Sequence, residues 1–316
     1  MVAIVLGPWS DDAERAAAWA AALATTIWDV AGLGLRLTVD DGLAPALHGL
    51  LGALPPAARP PEAHLRVIAG GAHEPAGPPE VTVRMTDDGR VDVRHGRGGT
   101  VLVGPGEGIV TVPADAPPAL VRLLVSLALG VLLEPTGATL VHAGTVAMGD
   151  GAALVAGPTG AGKSTAIAAA RARGRRTWGD DLAAIRVAEG GLVAAGIPRP
   201  LAIPADIAGG PGDPDDRDRV LMAPEPAGAW VPVRVVVSVA HGDDSRLTRL
   251  RAGDALAPCF DLLFTGLVPG RAEAWYPHAG ELARLGVWRL DHHPDPTQRL
   301  AQAAARLDDL DAELHR

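Results

Sequence analysis

Hydrophobic positions recur with two periods along the chain, and each period predicts an element. Ala13 to Thr26 reads as an alanine-rich helix, followed by proline-rich connections at Leu54 to Pro61 and Pro75 to Pro79. Val81 to Met85, Val91 to Arg94 and Thr100 to Val103 then alternate with period two between Asp-Gly and Gly-Gly turns, the pattern of a small antiparallel sheet. Beyond Pro117-Pro118, Ala119 to Leu133 is almost wholly apolar. It is short for a bilayer and carries Arg122, so it predicts a buried helix.

Thr139 to Met148 reads as one strand, Gly149-Asp150-Gly151 as a hairpin turn, and Ala152 to Ala156 as the returning strand. Pairing Met148 with Ala152 sets His142 opposite Pro158. Further on, Thr165 to Arg173 predicts an alanine-rich helix, Leu182 to Val187, Gly191 to Ala195 and Val231 to Ala240 predict strands, and Leu300 to Leu314 an amphipathic helix. Asp213 to Asp218 reads as a loop. The cations around Arg171 to Arg176 read as a helix end, complementing the negative pole of the helix dipole. These elements divide the chain into an α+β accessory domain at 1–114 and an α/β domain at 115–316. Substrate binding, dimerisation and structural support all remain open for the first.

The returning strand runs into Gly157-Pro158-Thr159-Gly160-Ala161-Gly162-Lys163-Ser164-Thr165, which fits G-x-x-x-x-G-K-[ST] between a strand and a helix. Glycines let consecutive backbone N–H groups converge on an anion, and the helix beginning near Lys163 aims its positive pole there. Residues 157 and 159–165 are thus expected to bind the phosphates of a nucleotide. Lys163 would reach the β- and γ-phosphates, and Ser164 would ligate Mg²⁺.

Phosphoryl transfer also needs an acidic element beside the metal. The strand ending at His241 leads only to the turn-like Asp243-Asp244, whereas Asp180-Asp181 follows Lys163 by one helix and one strand. On extended backbone adjacent carboxylates face opposite ways, so one can serve the metal and phosphates while the other faces elsewhere. His142, set at the loop's mouth by the hairpin register, is expected to contact the γ-phosphate or relay a proton. His292-His293 and the scattered histidines lack metal spacing.

The chain has 316 residues, 3% aromatics and 39 glycines, so its core is built from Ala, Val and Leu. A net charge of −9 argues against coating nucleic acid or an anionic membrane. Cys259 stands alone, which excludes an intrachain disulfide or a multi-cysteine metal site and fits a reducing cytoplasm. Met1 to Ser10 does not read as a signal peptide.

Taken together, His142-Ala143-Gly144, the glycine hairpin, GPTGAGKST, Gly174 and Asp180-Asp181 resemble the kinase domain of the bacterial HPr kinase/phosphorylase family. The resemblance covers about residues 115–200. It implies a phosphoenolpyruvate-carboxykinase-like P-loop fold with a mixed sheet, ATP and Mg²⁺ as cofactors, and transfer of the γ-phosphoryl group to a serine hydroxyl. By resemblance, Asp180 is the base on the acceptor hydroxyl, Asp181 a metal or structural partner, and His142 a phosphate contact; oligomerisation is a further implication. The segment Gly196-Ile197-Pro198-Arg199-Pro200 departs from the bifunctional enzyme and is more like the related kinases encoded with ribosomal peptides, including those acting on lasso-peptide precursors. The expected acceptor is a hydroxyl on a peptide or small protein. A small-molecule kinase and a nucleotide-responsive regulatory module are the alternatives.

Overall fold

The computed structural model describes residues 22–23, 26–51, 54–70, 81–208, 219–222, 229–262 and 276–316. The chain divides into two compact units, one centred on Asp11–Leu140, the other on Val141–Leu263 and Tyr276–Arg316. The helix expected at 13–26 and the loop at 213–218 lie largely outside the described residues.

The N-terminal unit contains β1 (Ile27–Val30), β2 (Leu33–Val39), α1 (Ala44–Leu51), β3 (Ala63–Gly70), β4 (Val81–Met85), β5 (Val91–His95), β6 (Gly99–Gly104), β7 (Glu107–Pro113) and α2 (Pro118–Leu133). Its seven strands form one sheet in the order β1-β2-β3-β7-β6-β5-β4. The β4-β5-β6 meander predicted from alternation is there, antiparallel with Val83 opposite Val93 and Val93 opposite Val101. The sheet is mixed because β3 runs parallel to both β2 and β7.

Helix α2 belongs to this unit, so the division falls later than the expected 114/115 boundary. It packs on β6, β7 and α1. Pro117 and Pro118, which suggested a linker, are the N-cap and first residue of the helix, where a missing N–H breaks no bond. By length and composition, Pro118–Thr136 could cross a membrane, at mean hydropathy 1.7. Its apolar side chains, Leu124, Val125, Leu129 and Leu132 among them, are instead buried inside the protein.

After β8 (Thr139–Val141), the second unit comprises β9 (Gly144–Met148), β10 (Gly151–Ala156), α3 (Lys163–Ala172), β11 (Thr177–Gly179), β12 (Ala183–Ala188), β13 (Gly191–Gly196), β14 (Leu201–Pro204), α4 (Ala205–Ala208), β15 (Arg219–Met222), β16 (Val231–His241), β17 (Arg246–Arg249), α5 (Ala252–Asp261), α6 (Tyr276–Arg284), β18 (Val287–His292) and α7 (Pro296–Leu314). Strand β10 lies between antiparallel β9 and parallel β16. The first residues of β16 pair with β13, and from Val236 onward it pairs in parallel with β18. Both units are therefore mixed α/β.

Two local expectations are corrected. The hairpin turn is Gly149-Asp150 alone, and Gly151 pairs with Met148, one residue off the expected register. Gly151 joins the strand by pairing with Met148, and only glycine fits there because a Cβ would collide with the Pro232 carbonyl of β16. The expected strand Thr139–Met148 is also broken at His142-Ala143, where His142 N–H donates to Leu262 O at 2.7 Å instead of entering the β10 ladder.

Small side chains let α3 settle close to the sheet. Ala166, Ile167, Ala169 and Ala170 are buried with Ala153 and Val155 of β10, Val235 and Val237 of β16, and Ala303 and Leu307 of α7. Burying each Val, Leu or Ile contributes about 1.5–3 kcal/mol. Arg175, just after α3, then ties the helix end to α7, donating to Asp308 and Asp311 at 2.9 Å each. That gives one of the predicted helix-end cations a structural partner.

Candidate active site

The loop between β10 and α3 has the backbone its glycines suggested. Gly157, Gly160 and Gly162 all take positive φ, at 147°, 85° and 103°. Lys163 begins α3 and is buried, with Nζ donating to Gly157 O at 2.9 Å and lying 3.5 Å from Asp181 Oδ1. Thr159, Gly160, Gly162, Lys163, Ser164 and Thr165 line a cleft of about 120 Å³, shared with Asp181, Ala202, Pro204, Ile207 and Arg299. Ala161 is buried behind the loop, where its N–H donates to Pro158 O at 3.1 Å. A cavity of about 520 Å³ among β17, β18 and α7 is larger but holds no loop residue, and its Arg306 and Arg316 are paired with Asp309 and Glu313.

Asp180 and Asp181 both come to the loop, by a different backbone from the one expected. Asp181 has φ +71°, a left-handed conformation unusual for a residue with a side chain. This turn, not an extended strand, separates the two carboxylates. Asp180 is 5% exposed, and its Oδ2 accepts from the Ser164 hydroxyl at 3.0 Å. Its Oδ1 is buried with no hydrogen-bond partner. Burial and the neighbouring Asp181 charge push the Asp180 carboxyl up to about 6.

Asp181 is half-buried among cationic groups and donors. His142 Nε2 lies 2.9 Å from its Oδ1, and Arg199 Nη1 lies 3.4 Å from its Oδ2. Burial alone would raise this carboxyl, but the His142 hydrogen bond and the charges of Arg199 and Lys163 outweigh it and hold the group well below the usual carboxylate range. His142 thus reaches the site through Asp181, not by facing Pro158 across a hairpin.

Ser164 and Asp180 suit a small hard cation. A buried carboxylate oxygen without a partner, beside a hydroxyl at the metal-ligating position of the loop, is the donor set Mg²⁺ uses with substrate phosphates and water completing its shell. Among the described residues no group of three or more His, Cys, Asp or Glu side chains could hold a metal alone.

Several residues in the cleft region were not marked as site residues by the sequence. Arg199 lies in the Pro-Arg-Pro segment after β13, and Arg299, in α7, is fixed by donating to the carbonyls of His293 and Pro294 at 2.9 Å each. His241 and His292 also touch the loop. Asp243-Asp244 is an exposed turn in which Asp244 accepts from Ser245 N–H at 2.7 Å. Cys259 is fully buried, and burial pushes its thiol up to about 11, so it is no nucleophile.

No protein-family model matches the chain, and no curated protein matches it in sequence. Among solved structures, the HPr(Ser) kinase/phosphatase from Coxiella burnetii aligns over 56% of this chain and 94% of its own, at 13% identity and a TM-score of 0.27. That overlap is too loose to assign a fold or an activity.

Proposed function

We propose that this chain is an ATP- and Mg²⁺-dependent kinase that transfers the γ-phosphoryl group to a hydroxyl, a serine of a peptide or small protein. The reading rests chiefly on one constellation: a phosphate loop whose Ser164 meets a buried Asp180 while Asp181 lines the cleft beside Lys163.

Loop N–H groups and Lys163 hold the β- and γ-phosphates and offset the charge that spreads over the transferred group. Ser164 and Asp180 would hold Mg²⁺, which supplies charge neutralisation across the phosphate oxygens. Asp181 orients the acceptor O–H and takes its proton as the acceptor oxygen bonds to the γ-phosphorus and the bond to the β–γ bridging oxygen breaks, releasing ADP. Its low proton affinity is no obstacle, because positioning and charge dominate this reaction. His142 and Arg199 steady that carboxylate.

This assignment exchanges the roles the resemblance implied, Asp180 as base and Asp181 as metal partner. The reason is access: a base must reach the acceptor, and Asp181 lines the cleft while Asp180 is buried behind Ser164. A phosphoenolpyruvate-carboxykinase-like fold, a peptide acceptor and a cytoplasmic setting belong to the same proposal. Its test is mass spectrometry of candidate serine-containing peptides after incubation with Mg·ATP. A gain of one phosphate, lost in Asp181→Asn while ATP still binds, is the expected result. Undiminished transfer by Asp181→Asn would overturn the role given to Asp181.

A further inference from the structure

If the N–H groups of a phosphate loop converge on an anion, its carbonyls must turn back into the protein, and each carbonyl there needs a donor. Strands β16 and β18 supply two. They run parallel, with His241 and His292 in register at their C-terminal ends. His241 Nε2 lies 2.9 Å from Gly160 O, and His292 Nε2 lies 3.0 Å from Gly162 O. A carbonyl only accepts, so the proton of each ring sits on Nε2.

Packing adds to the hydrogen bonds. A Cβ on Gly157 would come within 2.8 Å of Val239 Cγ2, and one on Gly162 would run into the His292 ring. Val239, His241 and His292 thus form a floor shaped to the underside of the loop. His292 is 1% exposed and its Nδ1 is buried without a partner. An apolar residue would fill that place without leaving a polar atom unpaired, so the bond to the loop is what the imidazole contributes. Burial pushes the ring down to about 4, with the Arg299 charge adding to the effect, so it stands neutral with a single N–H.

We propose that His292, with His241 as its exposed companion, is a positioning residue that moulds the phosphate loop for nucleoside-triphosphate binding. The inference rests on the loop being the ATP site. Titration of a fluorescent ATP analogue with Mg²⁺ into His292→Gln, His292→Asn, His292→Leu and His241→Ala tests it. Glutamine places its amide nitrogen near the site of Nε2, whereas asparagine places it near Nδ1. Asn and Leu are expected to weaken binding about tenfold, Gln to stay within about threefold of wild type, and His241→Ala to lose about threefold.

Folded Asn and Leu variants that bind as tightly as wild type, or a Gln variant no better than Leu, would overturn the proposal. Should His292→Leu fail to fold, the exposed His241 still decides: wild-type affinity in His241→Ala would contradict the moulding role. The ring tautomer gives a readout without nucleotide. Imidazole ¹⁵N spectra between pH 6 and 8 should show His292 as the Nε2–H form, and an Nδ1–H form would overturn the inference. A wild-type protein that shows this tautomer and yet binds no nucleotide would instead overturn the functional reading.

Discussion

The two units solve packing alike and differ in what they bury. Each sets helices against a mixed sheet, yet among the described residues the buried polar side chains of the N-terminal unit are only Ser126 and Thr139, while the loop-bearing unit buries Lys163, Asp180 and His292 as well as several hydroxyls. The ion pairs of the N-terminal unit, such as Arg59 with Asp29, sit at the surface. Surface pairs cost little and stabilise little, whereas a buried charge is unfavourable unless something holds it. Where a protein keeps Lys163, Asp180 and Asp181 together at one loop, stability is not the reason.

The largest effect should come from Lys163→Met. On the proposed function it removes the cation that meets developing charge, and phosphoryl transfer should fall about 10²–10³-fold, measured as phosphate incorporated into the acceptor. A variant that transfers at the wild-type rate would remove the contrast between the units.

Next is Asp180→Asn, read as stability without Mg²⁺. The folded carboxyl titrates near 6, above its unfolded value of 3.8. The folded state therefore holds the extra proton, and wild type loses stability as pH rises through that window. Asparagine does not titrate, so urea unfolding should show the variant gaining roughly 1–3 kcal/mol on wild type between pH 4 and 7. A variant that instead loses ground on wild type as pH rises, or a difference that does not change with pH, would contradict the buried, raised carboxyl.

Arg175→Leu sharpens the comparison inside one unit. Losing its bonds to Asp308 and Asp311 should cost about 1–2 kcal/mol of stability with ATP affinity unchanged, because it joins the turn after α3 to α7 away from the cleft. The smallest change belongs to Arg59→Ala, which should shift stability by less than about 1 kcal/mol and leave transfer untouched.

How far the sequence foretold this site follows the same physics. The phosphate loop, the hairpin before it and Asp180-Asp181 were legible because each is a local pattern whose backbone follows from a few adjacent residues. The single-residue register error came from counting Gly151 as turn, when it pairs with Met148 as the first residue of β10. His241, His292 and Arg299 gave no sign of reaching the loop, and Arg199 was read only as part of the Pro-Arg-Pro segment, since strand pairing and helix packing bring them there from distant segments. The proposed exchange of roles between Asp180 and Asp181 turns on burial and a left-handed φ, which two adjacent aspartates in a sequence do not display.

The most direct test is ATP binding measured calorimetrically with and without Mg²⁺, in wild type and in Asp180→Asn. One ATP per chain should bind, more tightly with Mg²⁺ by about tenfold or more, and most of that gain should vanish in the variant. Binding indifferent to Mg²⁺, or an equal gain in both proteins, would contradict a Mg·ATP site built on Ser164 and Asp180.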